Sequence, residues 1–542
     1  MARLSKKLFF IVMALCLLTP LVIASPVTAS DKECEGLKPW IASKSKERRI
    51  QLDSECRVVY VEPPHRVFSE THSHAEKSST ISLSTFDPNL AFNLHSRPNA
   101  SSIIYLDFDG QTWSSDSWWN GAFSITGSRK SDGYSVDEDA STFTAIERQH
   151  IYEVWTMVAE DFAMFDVDVT TERPTGAREL VFLESGSHAL ILQDNAVQEA
   201  CGCGGVAHLD VFDEDSPWNR PALNFSRFGT YVVHPIDIAE IISHEVGHNL
   251  GLVHDGGGPL AVEYYGGHAM WTPIMGAGRG RGVSTWSYGG YPNADTRGMQ
   301  RGGDDDFAQM SLYLNLIADD FGDTLETATL LTSENVTNGI QGRITTREDI
   351  DVLKLVVNPS DAGTYDITLN PIAFGPNLDP ELKVLDSAGN QIALSNPDVF
   401  APGGMTYITS GLGASISLEL NPGTYYLRID GVGQGSLEIE TGYDDYASRG
   451  NYSLEFAITK SSPTISKVTP KKITAGKRIT ILGDNLNSSK VYLGKKLLKI
   501  VSITKTKIVV VAPSRLRGNK FMLRVVNENL NVEVKKEVKR KP

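Results

Sequence analysis

Beyond residues 8–24 the 542-residue chain has no apolar run long enough to cross a bilayer, which excludes a polytopic membrane protein. Cysteine is scarce, five residues in all, and Cys16 lies inside that apolar run behind Leu15, where a lipid-attachment site needs a small residue. No lipid anchor is expected. Long uninterrupted helical pattern is missing too: 47 Gly and 25 Pro exclude a coiled coil as the dominant theme and favour strands and turns. Positive charge is short over most of the chain. The net charge is −15, yet from Pro463 onward 20 Lys and Arg face only 4 Asp and Glu, so a +16 tail follows a −31 remainder. No nucleic-acid partner is expected. At roughly 100 to 200 residues per domain, the length calls for about three or four domains.

Arg3, Lys6 and Lys7 precede the apolar run, and Val27-Thr28-Ala29 offers small residues for cleavage, so residues 1–29 read as a signal peptide. The expectation is a secreted protein, at the cell surface, in the periplasm or in the medium, with no stable membrane span after cleavage. Residues 30–97 are polar and read as an N-terminal extension or propeptide; His72 and His74 there read as solvated. Four cysteines remain in the mature chain, and the expected disulfides are Cys34 with Cys56 and Cys201 with Cys203.

Residues 98–318 mix a strand at Ser102–Gly110, helical spacing from Phe143 to Phe162 with Ile146, Ile151, Val154, Val158 and Phe162 on one face, and a strand at Phe165–Thr170. That alternation predicts an α/β or α+β domain. Within it, Asp237-x-x-Glu240 carries the residues of a capping box, and His244 and His248 follow four apart. Four residues make about one helical turn, so both imidazoles project from one face and can hold one zinc beside Glu245, a candidate general base. Gly251 allows a sharp turn out of the helix, and His254 supplies a third ligand. Three protein ligands leave a fourth position for water, the open geometry of catalytic zinc. The metal would acidify that water and Glu245 would take its proton. With this composition the five fixed letters of the pattern arise by chance in roughly 3 of 100,000 such chains.

The segment His244-Glu245-Val246-Gly247-His248-Asn249-Leu250-Gly251-Leu252-Val253-His254-Asp255 resembles the long zinc signature of metzincin peptidases, closest to the reprolysin-like (adamalysin-type) branch. Pro273-Ile274-Met275-Gly276 resembles the Met-turn of that family. The resemblance implies a zincin catalytic domain and a second role for Asp255 in orienting the helix or the Met-turn. Ala277 stands where related branches place a zinc-proximal Tyr, so only three protein ligands and water are expected. Gly204, Gly205, Val206 and Ala207 resemble the strand on which an extended substrate pairs; an ordinary buried strand behind a Cys-x-Cys loop is the other reading. As in some metzincins, Cys34 or Cys56 could cap the zinc of a latent form, although a disulfide between them leaves no free thiol. Calcium is unassigned: Asp304-Asp305-Asp306 reads as a helix cap, and Asp107, Asp109, Asp166 and Asp168 are not assigned as ligands.

Residues 319–460 resemble the bacterial pre-peptidase C-terminal domain through Arg347–Leu355, Leu382–Asn390 and Leu420–Ile429. Residues 461–542 resemble the immunoglobulin-like IPT/TIG domain through Pro463-x-Ile465, Gly476–Leu486 and Ile508–Pro513. The expected architecture is therefore multidomain, a metzincin-like α+β catalytic domain followed by two all-β sandwiches, one jelly-roll-like and one immunoglobulin-like. The +16 tail suits an acidic cell surface, a polysaccharide or lipid headgroups, or else carries Lys on strand edges against aggregation. The expected activity is zinc-dependent hydrolysis of protein or peptide substrates. The rival expectation is a secreted binding or adhesion protein on a degenerate zincin scaffold.

Overall fold

The computed structural model describes residue 38, residues 50–53 and 55–62, and residues 86–541 apart from short stretches, of which 118–126, 295–303 and 401–409 are the longest. The signal-peptide reading, Cys34, His72 and His74 lie outside the described residues. Among the described residues no helix is long and apolar enough to cross a membrane.

The Thr144 hydroxyl accepts from the Glu147 N–H while the Glu147 carboxylate accepts from the Thr144 N–H, and this reciprocal cap starts helix α1 (Ala145–Asp161). Ile151, Val154, Val158 and Phe162 turn into the core. Ile146 does not, and is 62% exposed. Its five-residue step to Ile151 rotates it about 140° around the helix, off the buried stripe.

Seven strands make the sheet that α1 covers: β1 (Ile50–Leu52), β2 (Val58–Val61), β3 (Ser102–Asp107), β6 (Val167–Thr170), β7 (Gly186–Leu192), β8 (Gly205–His208) and β9 (Ala222–Phe225), in the order β1-β2-β8-β9-β7-β3-β6; β4 (Gly110–Trp113) and β5 (Arg129–Asp132) pair apart from it. The β6, β3, β7 and β9 pairings are parallel, whereas β8 runs antiparallel to both β9 and β2. The polar extension therefore does not stand apart from the next domain: it adds two strands to that sheet. Val59 and Val61 join the β8–β9 core with Val206 and Leu223, so apolar burial drives the addition.

Helix α2 (Pro235–Asn249) crosses α1, with Ile238, Ile241, Ile242 and Val246 in the shared core. It begins two residues before the expected capping box. His234 is the N-cap, its Nδ1 accepting from the Ile236 N–H, and Pro235 occupies the first turn, where a missing N–H costs nothing. Asp237 and Glu240 lie inside the helix. A short helix α3 (Asp306–Met310) is capped by Asp305, whose carboxylate accepts from the Ala308 N–H, as the sequence predicts.

The rest of the chain is β. One sheet holds Ile350–Val357, Pro380–Leu385 and Gly423–Gly431, the other Gly363–Pro371, Ala414–Leu420 and Gly450–Lys460, and Leu355, Val384, Leu427, Ile367, Leu369 and Leu454 share their core. A second pair of sheets follows. Ile479, Ile481 and Val510 of one meet Val491, Leu523 and Val525 of the other.

Two adjacent carboxylates at the end of α1 tie the first sandwich to the sheet domain. Glu160 accepts from the Asn451 backbone N–H at 3.0 Å and its Nδ2 at 2.6 Å, and Asp161 accepts from Asn377 Nδ2 at 2.8 Å and the Ser243 hydroxyl at 2.5 Å. Burial pushes Glu160 from its ordinary 4.5 up to about 8 and Asp161 from 3.8 up to about 7, against the downward pull of those donors. A carboxyl raised by folding takes up a proton as the chain folds, so its contribution is present in acid and is lost as pH rises from about 4 to about 8. Thermal unfolding of the full chain should accordingly shift to lower temperature between pH 6 and pH 8.5, and Glu160→Gln should flatten that dependence. A melting temperature that rose across this interval would contradict the assignment.

Candidate metal centre

Helical spacing sets His244 and His248 one turn apart on α2, and both rings are buried. The chain leaves the helix through Leu250 and Gly251, whose φ of +82° lies in the left-handed region that glycine adopts freely. This turn returns the chain and brings His254 beside the other two imidazoles. Ring centroids are 4.9 Å apart for His244–His248 and for His248–His254, and 5.4 Å for His244–His254.

The far nitrogens of two rings are anchored. His244 Nδ1 donates to the Ile274 carbonyl and His248 Nδ1 to the Leu252 carbonyl, each at 2.8 Å. With Nδ1 carrying the proton, Nε2 presents its lone pair inward, the form a metal requires. Burial pushes His248 from 6.5 down to about 4, which keeps it neutral. Burial lowers His254 as well, but the Glu62 and Glu263 carboxylates outweigh it and raise that ring. Three imidazoles with Nε2 converging in this way fit zinc.

The turn containing Met275 underlies the site. Met275 is fully buried, its sulfur lies against Gly247 of α2, and the Ile274 carbonyl that holds His244 belongs to the same turn. Asp255 is buried; its N–H donates to the Met275 carbonyl at 2.7 Å, and the Tyr291 hydroxyl reaches its carboxylate at 3.4 Å. Asp255 thus ties the third histidine's segment to that turn. Glu245 is buried on α2 beside β8, so close to Gly205 that a Cβ there would fall 2.0 Å from Glu245 Oε1. Gly204 precedes the strand, while Gly205, Val206 and Ala207 lie in it, buried between β9 and β2.

A carboxylate that the sequence reading did not anticipate faces the three rings. Glu62, which follows β2, places Oε1 2.8 Å from His254 Nε2 and 3.3 Å from His248 Nε2, and Oε2 3.5 Å from His244 Nε2. Burial opposes charge on Glu62, but His254 and His244 overcome it and hold the carboxyl well below its ordinary range. Among the described residues, Glu62, His244, His248 and His254 form the one histidine-bearing group of three or more whose ligand atoms lie within 4.8 Å of one another. Tyr60 stacks on His248 with ring centroids 4.3 Å apart and meets His254 edge-on at 4.6 Å; the Tyr264 ring, tilted to His254, has its centroid 4.1 Å away. Sequence reasoning missed Glu62, Tyr60 and Tyr264. The signal for the first two was Val58-Val59-Tyr60-Val61, an apolar run inside an otherwise polar extension.

Cys201 and Cys203 are disulfide-bonded to each other, and Cys56 is also in a disulfide, so no thiol of these three caps the site. Asp107 pairs with His188 at 2.9 Å, Asp168 with His95 at 2.8 Å, and Asp166 accepts from the Ser101 N–H, which gives each an internal partner. A second group of oxygens gathers where the first sandwich begins: Asp319 with Asp320 and Asp351, and Asp319 with Asp323 and Asp349, each set within 4.8 Å. Burial pushes Asp351 up to about 8 and Asp320 up to about 6, helped by the neighbouring carboxylates.

No curated protein matches the chain. Among solved structures, a structural-genomics protein of unknown function from Bacteroides thetaiotaomicron VPI-5482 is 18% identical, over 15% of this chain and 22% of that one, with a TM-score of 0.14. This chain thus spans about a fifth of that protein. The pre-peptidase C-terminal domain of collagenase from Bacillus anthracis is 16% identical over 26% of this chain and 100% of that domain, with a TM-score of 0.17. The SGBP-B protein of a mixed-linkage glucan utilization locus of Bacteroides ovatus is 12% identical over 42% of this chain and 46% of that one, with a TM-score of 0.14. Residues 463–536 match the IPT/TIG domain family, and the end of this mostly β, multidomain chain is an IPT/TIG domain.

Proposed function

We propose that this protein is a secreted zinc-dependent metalloendopeptidase of reprolysin-like, metzincin type, with a pre-peptidase C-terminal-like sandwich and the IPT/TIG domain as accessory modules. The observation that carries the reading is the convergence of three imidazoles, two of them held by backbone carbonyls, beside a buried glutamate that packs on β8. Zinc at the three Nε2 atoms would supply a Lewis acid that polarises a peptide carbonyl and acidifies water. The protein's own groups do the rest. Glu245 takes the proton of the attacking water and returns it to the leaving amine. Strand β8, paired with β2 on one side, would hold an extended peptide as an added strand once β2 leaves it. Met275 and Asp255 keep the third histidine in place by fixing the turn beneath it.

Metal analysis tests the reading. The purified full chain should hold close to one zinc, and His248→Ala should lose it, since no other group among the described residues offers three imidazoles. Zinc retained unchanged by His248→Ala would move the metal elsewhere and end the assignment.

A further inference from the structure

We infer that β1 and β2 form a built-in inhibitor: β2 occupies the substrate strand's place on β8, and Glu62 takes the fourth zinc position. This deepens the peptidase reading and rests on it.

β8 would be the exposed edge of the sheet without these strands. β2 pairs with it antiparallel, Val59 opposite His208, Tyr60 opposite Ala207 and Val61 opposite Val206. The ladder continues to the metal centre, where the Glu62 N–H donates to the Gly205 carbonyl and the Gly204 N–H donates to the Glu62 carbonyl, each at 2.9 Å. A peptide added to this edge would need these same backbone groups. Glu62 therefore arrives at the histidines at the end of a zipped strand.

Its carboxylate is almost wholly buried and faces all three Nε2 atoms. A buried carboxylate needs partners, and among three imidazoles aimed inward the group that satisfies both sets is a cation. Carboxylate oxygen is an ordinary zinc donor, and four protein ligands close a site that three leave open. Tyr60, stacked on His248 and edge-on to His254, covers the same side. Val59 and Val61 bury in the sheet core, so the segment is held by apolar area as well as by the ladder. Release then requires a chain cut on the C-terminal side of Glu62.

The test compares the full chain, leader removed, with its Glu62→Gln and Glu62→Ala variants, each loaded with Co2+ in place of zinc. Glu62→Gln keeps the size of the side chain and so preserves the fold. Three quantities are read: the visible absorption of cobalt, the rate of cobalt loss to 1,10-phenanthroline, and cleavage of an unfolded protein. The inference predicts an altered spectrum in both variants, metal loss at least 10-fold faster, and, in all three proteins, cleavage at least 10-fold higher after a cut on the C-terminal side of Glu62 than before it. Identical spectra and extraction rates in all three proteins, each binding one cobalt, would overturn it and leave the peptidase reading standing. Altered spectra and extraction with no cleavage by any protein, cut or uncut, would instead uphold the Glu62 contact and remove the peptidase reading.

Discussion

Glu245→Gln should retain one zinc per chain and lose about 10²- to 10⁴-fold in kcat, the range that a positioned general base supplies. Glutamine has the shape of glutamate but cannot carry the proton between water and the leaving amine. Glu245 lies beside the three histidines and is not one of the four residues whose ligand atoms converge, so its replacement leaves the metal's donors intact. Metal content and kcat measured on the same preparation separate the two roles. The acid limb of the pH–rate profile should disappear with the carboxylate. Loss of zinc alongside loss of activity would make Glu245 a ligand or a packing residue rather than the base.

Gly205→Ala should reduce kcat by about 10²-fold with zinc retained. A Cβ at this position lies 2.0 Å from Glu245 Oε1 and 2.6 Å from Cδ, so one partner must move. With β2 gone the strand is still pinned by β9, Gly205 lying opposite Asn224 and the Gly204 carbonyl accepting from the Phe225 N–H. The displacement therefore falls on Glu245, and a shift of about 1 Å in a reacting group costs rates of this order. The side chain that moves is not a metal donor, which is why metal content is the control. Unchanged kcat in a chain from which β1 and β2 have been cut away would show that Glu245 is not positioned by β8.

The cluster of three histidines was legible because its code is local. Two histidines four apart need only a helix, Gly251 needs only the positive φ that releases the chain, and Met275 follows 21 residues after His254. Glu62 was illegible for the opposite reason. It reaches His248 across 186 residues of sequence, and the Val58–Val61 run marks a strand without saying which strand it pairs with. The apolar face of α1 is legible except at Ile146, which its five-residue step from Ile151 turns off the buried stripe. Glu160 and Asp161 look like the polar face of that helix and are instead buried against Asn451 and Asn377, 291 and 216 residues away. The two sandwiches were legible through motif runs such as Leu382–Asn390 and Gly476–Leu486, which contain strands that bury one face on the partner sheet.

Cleavage of an unfolded protein by the zinc-loaded chain, cut between Glu62 and Phe86 to free β8, tests the central claim most directly. The account predicts hydrolysis of internal peptide bonds that stops on chelation and returns with zinc. Stoichiometric zinc with no cleavage of any peptide would contradict it, and would make the three histidines part of a binding scaffold.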